Sequence, residues 1–235
     1  MAIPKNKSYL IVGGSSGIGL ALAQLLCENN QVFVASRTAD SIAQLKVQHI
    51  PYDATLDELN TEVLPEKLDG LVYCPGSINL RPFRGLSINA FENDFSINVL
   101  GAVKSLQAVM SRLQASTNAA VVFFSTVAVQ TGMPFHSSVS ASKGAIEGLT
   151  RALAAEFAPQ IRVNAIAPSL VNTPLAEKFL NQEAKLEKAN ERHPLKRVGN
   201  KEELAQMAAF LLSNEGSWMT GSIIQMDGGI GNLKT

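Results

Sequence analysis

Tyr9-Leu10-Ile11-Val12-Gly13-Gly14-Ser15-Ser16-Gly17-Ile18-Gly19 is a short apolar run that breaks into a glycine-rich turn. Past the turn, Ile18, Ala21, Leu22, Leu25 and Leu26 recur at helical spacing, so the stretch reads as strand, turn, helix. Glycines let the backbone bend sharply, and the open N–H groups of a helix start face whatever anion approaches. A dinucleotide pyrophosphate fits such a turn. The strand before it and the helix after it separate this reading from a tight connection with no ligand.

The same alternation runs outward along the chain. Val32-Phe33-Val34-Ala35 is a second strand, a weak helix is expected over roughly Ala39 to Lys46, and His49-Ile50-Pro51-Tyr52 is a third strand that Pro51 makes irregular. Leu71-Val72-Tyr73-Cys74, Ala120-Val121-Val122-Phe123-Phe124, Val163 to Ala167 and Ser222 to Met226 supply further strands, with long helical stretches at Ser87 to Leu113 and Val139 to Phe157. Nearly continuous apolar strands between amphipathic helices imply a parallel sheet covered on both faces, and the right-handed crossover rule makes it doubly wound, an α/β Rossmann architecture.

With 235 residues, one domain over 1–235 is the expectation, since an α/β domain reaches roughly 250 residues without splitting. Twenty Lys and Arg balance twenty Asp and Glu, which gives no electrostatic reason to expect nucleic acid or an anionic membrane as partner. Cys27 and Cys74 stand apart from each other and from the three histidines, so neither a disulfide framework nor a metal-ligand spacing can be written. No run of about 18 apolar residues occurs, and a reducing cytoplasm is the expected compartment. Between Glu177 and Arg192 both charge signs mix, while Leu175, Phe179 and Leu186 keep one apolar stripe. That pattern predicts a solvated helix with one buried face, or a substrate lid over about 173–198.

The chain resembles the short-chain dehydrogenase/reductase family. Gly13, Gly17 and Gly19 match its Gly-x-x-x-Gly-x-Gly turn. Asn98, the run Val139-Ser140-Ala141-Ser142-Lys143-Gly144-Ala145, Asn164 with Pro168, Pro194-Leu195 with Arg197, and Thr220-Gly221 through Asp227-Gly228-Gly229 follow in the family's order. The resemblance implies a single domain on a seven-stranded parallel sheet, a homodimer or homotetramer, and a small-molecule carbonyl or alcohol substrate. It also implies that Ser15, Ser16, Ile18, Asp53, Ala54, Cys74-Pro75-Gly76, Pro168, Val171 and Thr173 border the nucleotide, with Cys74-Pro75-Gly76 standing where Asn-Ala-Gly is usual.

The choice between NADP(H) and NAD(H) has a physical handle at Ala35-Ser36-Arg37-Thr38. An acidic residue at the end of the second strand would bind free ribose hydroxyls, but Ser36 stands there. Arg37 beside it offers a planar fork of donors suited to a 2′-phosphate, so NADP(H) is favoured.

By the same resemblance, catalysis uses an asparagine, a serine, a tyrosine and a lysine four positions after the tyrosine. Lys143 and Asn98 are present; counting back four from Lys143 gives Val139, and a further 13 gives Thr126. Thr126 keeps a hydroxyl that can bond a carbonyl oxygen, whereas Val139 has no proton to give. His136, seven residues before Lys143, is spaced like the tyrosine of the divergent enoyl reductases of the superfamily. It is the substitute donor to weigh against a plain loop histidine and against water. The expected activity is hydride transfer between nicotinamide and a carbonyl or alcohol. A non-catalytic NADP(H)-binding partner subunit or redox sensor, or an enoyl reductase, is the alternative.

Overall fold

In β1 (Ser8–Val12) Leu10 and Val12 point to one side of the sheet and Tyr9 and Ile11 to the other, and all four are buried. A strand buried on both sides carries no polar alternation, which is why these runs read as continuously apolar. The computed structural model describes residues 3–234. Its main sheet adds β2 (Gln31–Ser36), β3 (Val47–Pro51), β4 (Gly70–Tyr73), β5 (Ala119–Phe124), β6 (Ile161–Pro168) and β9 (Ile223–Met226), all parallel, in the order β3-β2-β1-β4-β5-β6-β9. The chain steps outward from β1 to β3 and then returns to the other side of β1 at β4. The carboxyl ends of β1 and β4 therefore flank a crevice where a ligand can enter.

One side of the sheet is covered by α3 (Gly101–Gln114) and α5 (Ser137–Phe157), through Leu106, Val109, Leu113 and Ile146. The other is covered by α1 (Gly17–Leu26) and α8 (Lys201–Leu212), through Leu22, Leu26, Leu204 and Leu211. Asn164, fully buried in β6, donates from Nδ2 to Met219 O (2.8 Å) and accepts from Ser222 N (3.1 Å), stitching β6 to the segment that enters β9.

Two expectations are corrected. No α-helix forms over Ala39 to Lys46; only a 3₁₀ turn, Asp40–Ile42, fits the short span between β2 and β3. The stretch Ser87 to Leu113 is helical as expected, with α2 (Ile88–Phe95), a π-helical turn at Ser96–Leu100 and α3 running on without a break. The apolar stripe between 175 and 186 is not a buried face: Leu175 is 48% and Leu186 36% exposed, and Ala176 and Ala189 are buried instead. Pro51 lies at the end of β3, a sheet edge, where a missing N–H costs least.

After β6 the chain leaves the sheet through β7 (Val171–Asn172) and returns through β8 (Gly199–Asn200), which pair in parallel. Between them lie α6 (Glu177–Leu180) and α7 (Glu183–Glu191), a segment tied at its base by this two-strand ladder. At that base Arg197 grips Glu203 through both guanidinium ends (2.9 and 2.6 Å), while Glu203 also accepts from Asn200 N and caps α8. No helix of the described residues is long and apolar enough to cross a membrane.

Candidate active site

A cleft of about 1050 Å³ lies over the carboxyl ends of the central strands and is lined in part by α6 and α7. Every cofactor and catalytic position expected from the sequence lines it except Asn98, which is buried behind Gly76.

At one end, Gly13 and Gly17 turn the chain with φ of +75° and +53°, values that L side chains rarely adopt. A Cβ on Gly19 would stand 2.4 Å from Gly13 O, so the turn closes on itself only without side chains. Ser16 starts α1 in extended conformation, makes no side-chain cap, and no acid follows in the first turn. The opening N–H groups are thus left to an external anion, the condition a dinucleotide pyrophosphate requires.

At the end of β2, Ser36 is buried and spends its hydroxyl on Thr38 O (2.8 Å), with His49 Nε2 3.0 Å from Ser36 O. Arg37 is exposed beside it. The Asp53 carboxyl is held below its ordinary range by the Thr55 hydroxyl and N–H, with a further contribution from the Arg37 cation, which therefore faces this part of the cleft.

At the far end, α5 enters the cleft wall. Lys143 is buried and donates from Nζ to Phe124 O at 2.8 Å, and burial lowers its pKa to about 8. Thr126 Oγ1 accepts from Ala128 N (3.3 Å) and donates to nothing among the described residues. Val139, one helical turn before Lys143, is buried and lines the cleft. His136 also lines it, with Nδ1 2.8 Å from Pro134 O. A carbonyl only accepts, so Nδ1 carries a hydrogen and Nε2 is bare unless the ring is protonated twice.

The tyrosines do not compensate. Tyr73 donates to Ile97 O (2.6 Å), Tyr52 OH pairs with Ser105 Oγ (3.1 Å), and Tyr9 sits in the core on the far side of the sheet. Burial raises all three above the ordinary phenol range.

Sequence reasoning missed Ser77 and Asp94. Asn98 Nδ2 reaches Ser77 Oγ (2.9 Å), Asp94 O (2.8 Å) and Ser142 Oγ (3.3 Å), while Ser77 donates to Asp94 Oδ1 (2.5 Å). Asn98 Oδ1 and the buried Asp94 Oδ2 have no partner among the described residues. A Cβ on Gly76 would meet both Asn98 Oδ1 (3.1 Å) and Lys143 Nζ (3.4 Å), so only glycine keeps open the space between them. The π-helical turn, which frees a backbone carbonyl at Asp94, positions Asn98 for this network.

Residues 12–231 match the family profile described as Enoyl-(Acyl carrier protein) reductase. The chain belongs to the short-chain dehydrogenase/reductase family. It is an NAD(P)-dependent oxidoreductase of that family. It is 32% identical over 245 residues to the 3-oxoacyl-[acyl-carrier-protein] reductase FabG of Thermotoga maritima, covering 96% of this chain and 98% of that one. Among solved structures, ligand-free aldohexose dehydrogenase of Thermoplasma acidophilum superimposes with a TM-score of 0.90 at 26% identity, over 98% of this chain and 97% of that one. The NADP active-site complex of Pseudomonas aeruginosa RhlG also gives 0.90, at 28% identity, over 98% and 100%. The fold expected from the glycine turn is thus the family's fold.

Proposed function

We propose that this chain moves a hydride between NADP(H) and a carbonyl or alcohol, using Lys143, Thr126 and Asn98, with no side-chain acid at the tyrosine position. The observation that carries this reading is the buried Lys143 ammonium, set beside Gly76 and one turn from Val139 in the wall of the cleft. Bound in that cleft, a nicotinamide dinucleotide supplies or takes up the hydride.

The chain's own residues would do the rest. The α1 start receives the pyrophosphate, and Lys143, with one N–H on Phe124 O, has two left for ribose hydroxyls. Thr126 keeps its hydroxyl hydrogen for the substrate oxygen. Asn98 Oδ1 and Asp94 Oδ2 offer acceptors for an ordered water beside Lys143, which supports water as the proton source. His136 fits less well, since its Nε2 donates only from the imidazolium. NADPH binding and NADPH oxidation on one sample, over a panel of ketones, aldehydes and enoyl compounds, test the reading. Binding with slow carbonyl turnover is expected; binding with none would favour the non-catalytic alternative, and enoyl turnover lost in His136→Ala would favour the other.

NADP(H) over NAD(H) follows from Arg37 and the missing carboxylate at Ser36. Losing this charge-assisted contact in Arg37→Ala should weaken NADP(H) binding by about 1.5 to 3 kcal/mol. NAD(H) affinity should hardly change. Calorimetric titration of both proteins with both cofactors reads this out, and equal affinities in the wild type would remove the argument.

Self-association is also inferred. Ile88 is 73%, Phe95 42% and Leu100 46% exposed around α2 and the start of α3, more apolar surface than a free helix pair gains by showing water. Light scattering at micromolar concentration should give a dimer or tetramer mass, and a monomer would reject the inference.

A further inference from the structure

The chain carries no net charge, but its cleft does. Among the described residues the lining holds Arg37, Lys143, Lys178, Lys185, Lys188 and Arg192 against a single carboxylate, Asp53. Arg37 and Asp53 belong to the adenosine end and Lys143 to the wall below the lid. The remaining four cations all come from the lid.

On α7 and its C-cap the charges are sorted by side. Lys185, Lys188 and Arg192, spaced i, i+3 and i+7, share the face that lines the cleft. Glu183, Glu187 and Glu191, spaced i, i+4 and i+8, do not line it. A surface helix gains slightly from each opposite pair at i, i+4 and loses as much from each like pair. This segment instead sets Lys188 against Arg192 and Glu187 against both Glu183 and Glu191. The helix dipole favours cations near a carboxyl end, but it acts along the axis and does not sort charges around it.

Two of these cations are uncommitted. Lys188 and Arg192 make no hydrogen bond or ion pair among the described residues. Lys185 Nζ reaches only neutral oxygens, Lys178 O (3.3 Å) and Asn181 Oδ1 (3.1 Å). The lid bearing them is strapped down at both ends. Lys178 Nζ donates to Ile78 O (2.8 Å) in the loop after β4, and His193 bridges Ala189 O (2.7 Å) to Ser169 Oγ (2.9 Å) at the end of β6. The cofactor's phosphates have their own receiver in the glycine turn. There the lid contributes Thr173, whose Cβ stands 3.5 Å from where a Gly17 Cβ would be.

We propose that the substrate is an anion, a carbonyl compound carrying a carboxylate or a phosphate, and that Lys185, Lys188 and Arg192 receive its charge across the cleft from Thr126. The proposal rests on reading the cleft as a site of hydride transfer to a carbonyl. Its test separates the two. Acetoacetate and its ethyl ester, and dihydroxyacetone phosphate and dihydroxyacetone, are titrated calorimetrically into NADP⁺-saturated protein, with the NADP⁺ affinity measured on the same sample. In at least one pair the anion should bind about tenfold tighter than its neutral partner, the scale of two or three solvent-accessible charge contacts, and the advantage should shrink with added salt. Which pair shows it tells carboxylate from phosphate. In the protein carrying Lys188→Ala and Arg192→Ala together, that preference should fall to near unity, with NADP⁺ and neutral-ligand affinities unchanged. No anion preference in either pair overturns the proposal while leaving the hydride-transfer reading intact. A double variant that loses NADP⁺ affinity assigns these cations to the cofactor and overturns it too, and a wild type that does not bind NADP⁺ sinks both readings.

Discussion

Val139→Tyr should raise turnover on a simple ketone or diketone by about a hundredfold or more, the usual contribution of a positioned general acid. The substitution is placed where the chemistry lacks one group. Residue 139 is one helical turn before Lys143 on the same side of α5, and it lines the cleft. Val139 is only 5% exposed, so a ring added there has to extend into the cleft that the residue lines. The Lys143 ammonium at the next turn would lower the new phenol's pKa, as a cation near an ionisable hydroxyl does. His136→Ala is the control: if water is the wild-type donor, its loss changes little. A variant that binds NADPH as the wild type does, yet gains nothing on any carbonyl, would contradict the proposed arrangement of Thr126, Lys143 and nicotinamide.

Lys143→Met should be the most damaging single change in the cleft. It removes the buried cation beside Gly76 and, with it, the donors proposed for the ribose. Affinity for NADP(H) should fall about ten- to a hundredfold, the loss of one or two charge-assisted hydrogen bonds. Turnover should fall at least as far. The pH dependence is a sharper signature. Burial brings Lys143 down to about 8 in the free protein, and a bound anionic dinucleotide favours the ammonium, so binding takes up a proton once the pH exceeds that value. Wild-type affinity should therefore fall as pH rises from 7 through 9, while Lys143→Met should be flat over the same range. The free fold has the opposite dependence. Above pH 8 the unfolded lysine holds its proton longer than the folded one, so the contribution of this residue to stability rises between about 8 and 10.5. Calorimetric titration at three pH values checks the first sign, and a pH-independent wild type would rule out the proposed contact.

The fold was legible because its signals are local and repeated. Tyr9 to Gly19 displays a buried strand, a turn that only glycine closes, and an amphipathic helix, and the alternation then recurs to Met226. What misled was length and register. Ile42 and Leu45 are spaced like a helix face, but the span from Ser36 to Val47 is too short for a helix to leave the sheet and return. The extra residue of the π-helical turn at Ser96–Leu100 leaves no mark in an apolar pattern, so the long helical stretch was legible and the bulge inside it was not. In the site, residues within motifs could be placed by count, as Thr126 and Val139 were from Lys143. Ser77 and Asp94 belong to no such spacing; they become visible only when α2 and the loop after β4 are brought together around Asn98. The lid shows a different failure. Its charges looked mixed along the chain because both signs alternate there, and the sorting of Lys185, Lys188 and Arg192 from the glutamates has meaning only once one side of α7 is known to face the cleft.

The central claim is that this chain transfers a hydride although it has no tyrosine at position 139. NADPH carrying deuterium at the nicotinamide C4 position tests it most directly, incubated with the wild-type protein and a panel of ketones, diketones and keto acids, with cofactor binding measured on the same sample and products read by mass spectrometry. The account predicts tight NADPH binding and an alcohol product that carries the deuterium, formed slowly in the wild type and about a hundredfold faster in Val139→Tyr. NADPH bound with normal affinity, and no deuterium in any product from either protein, would contradict it.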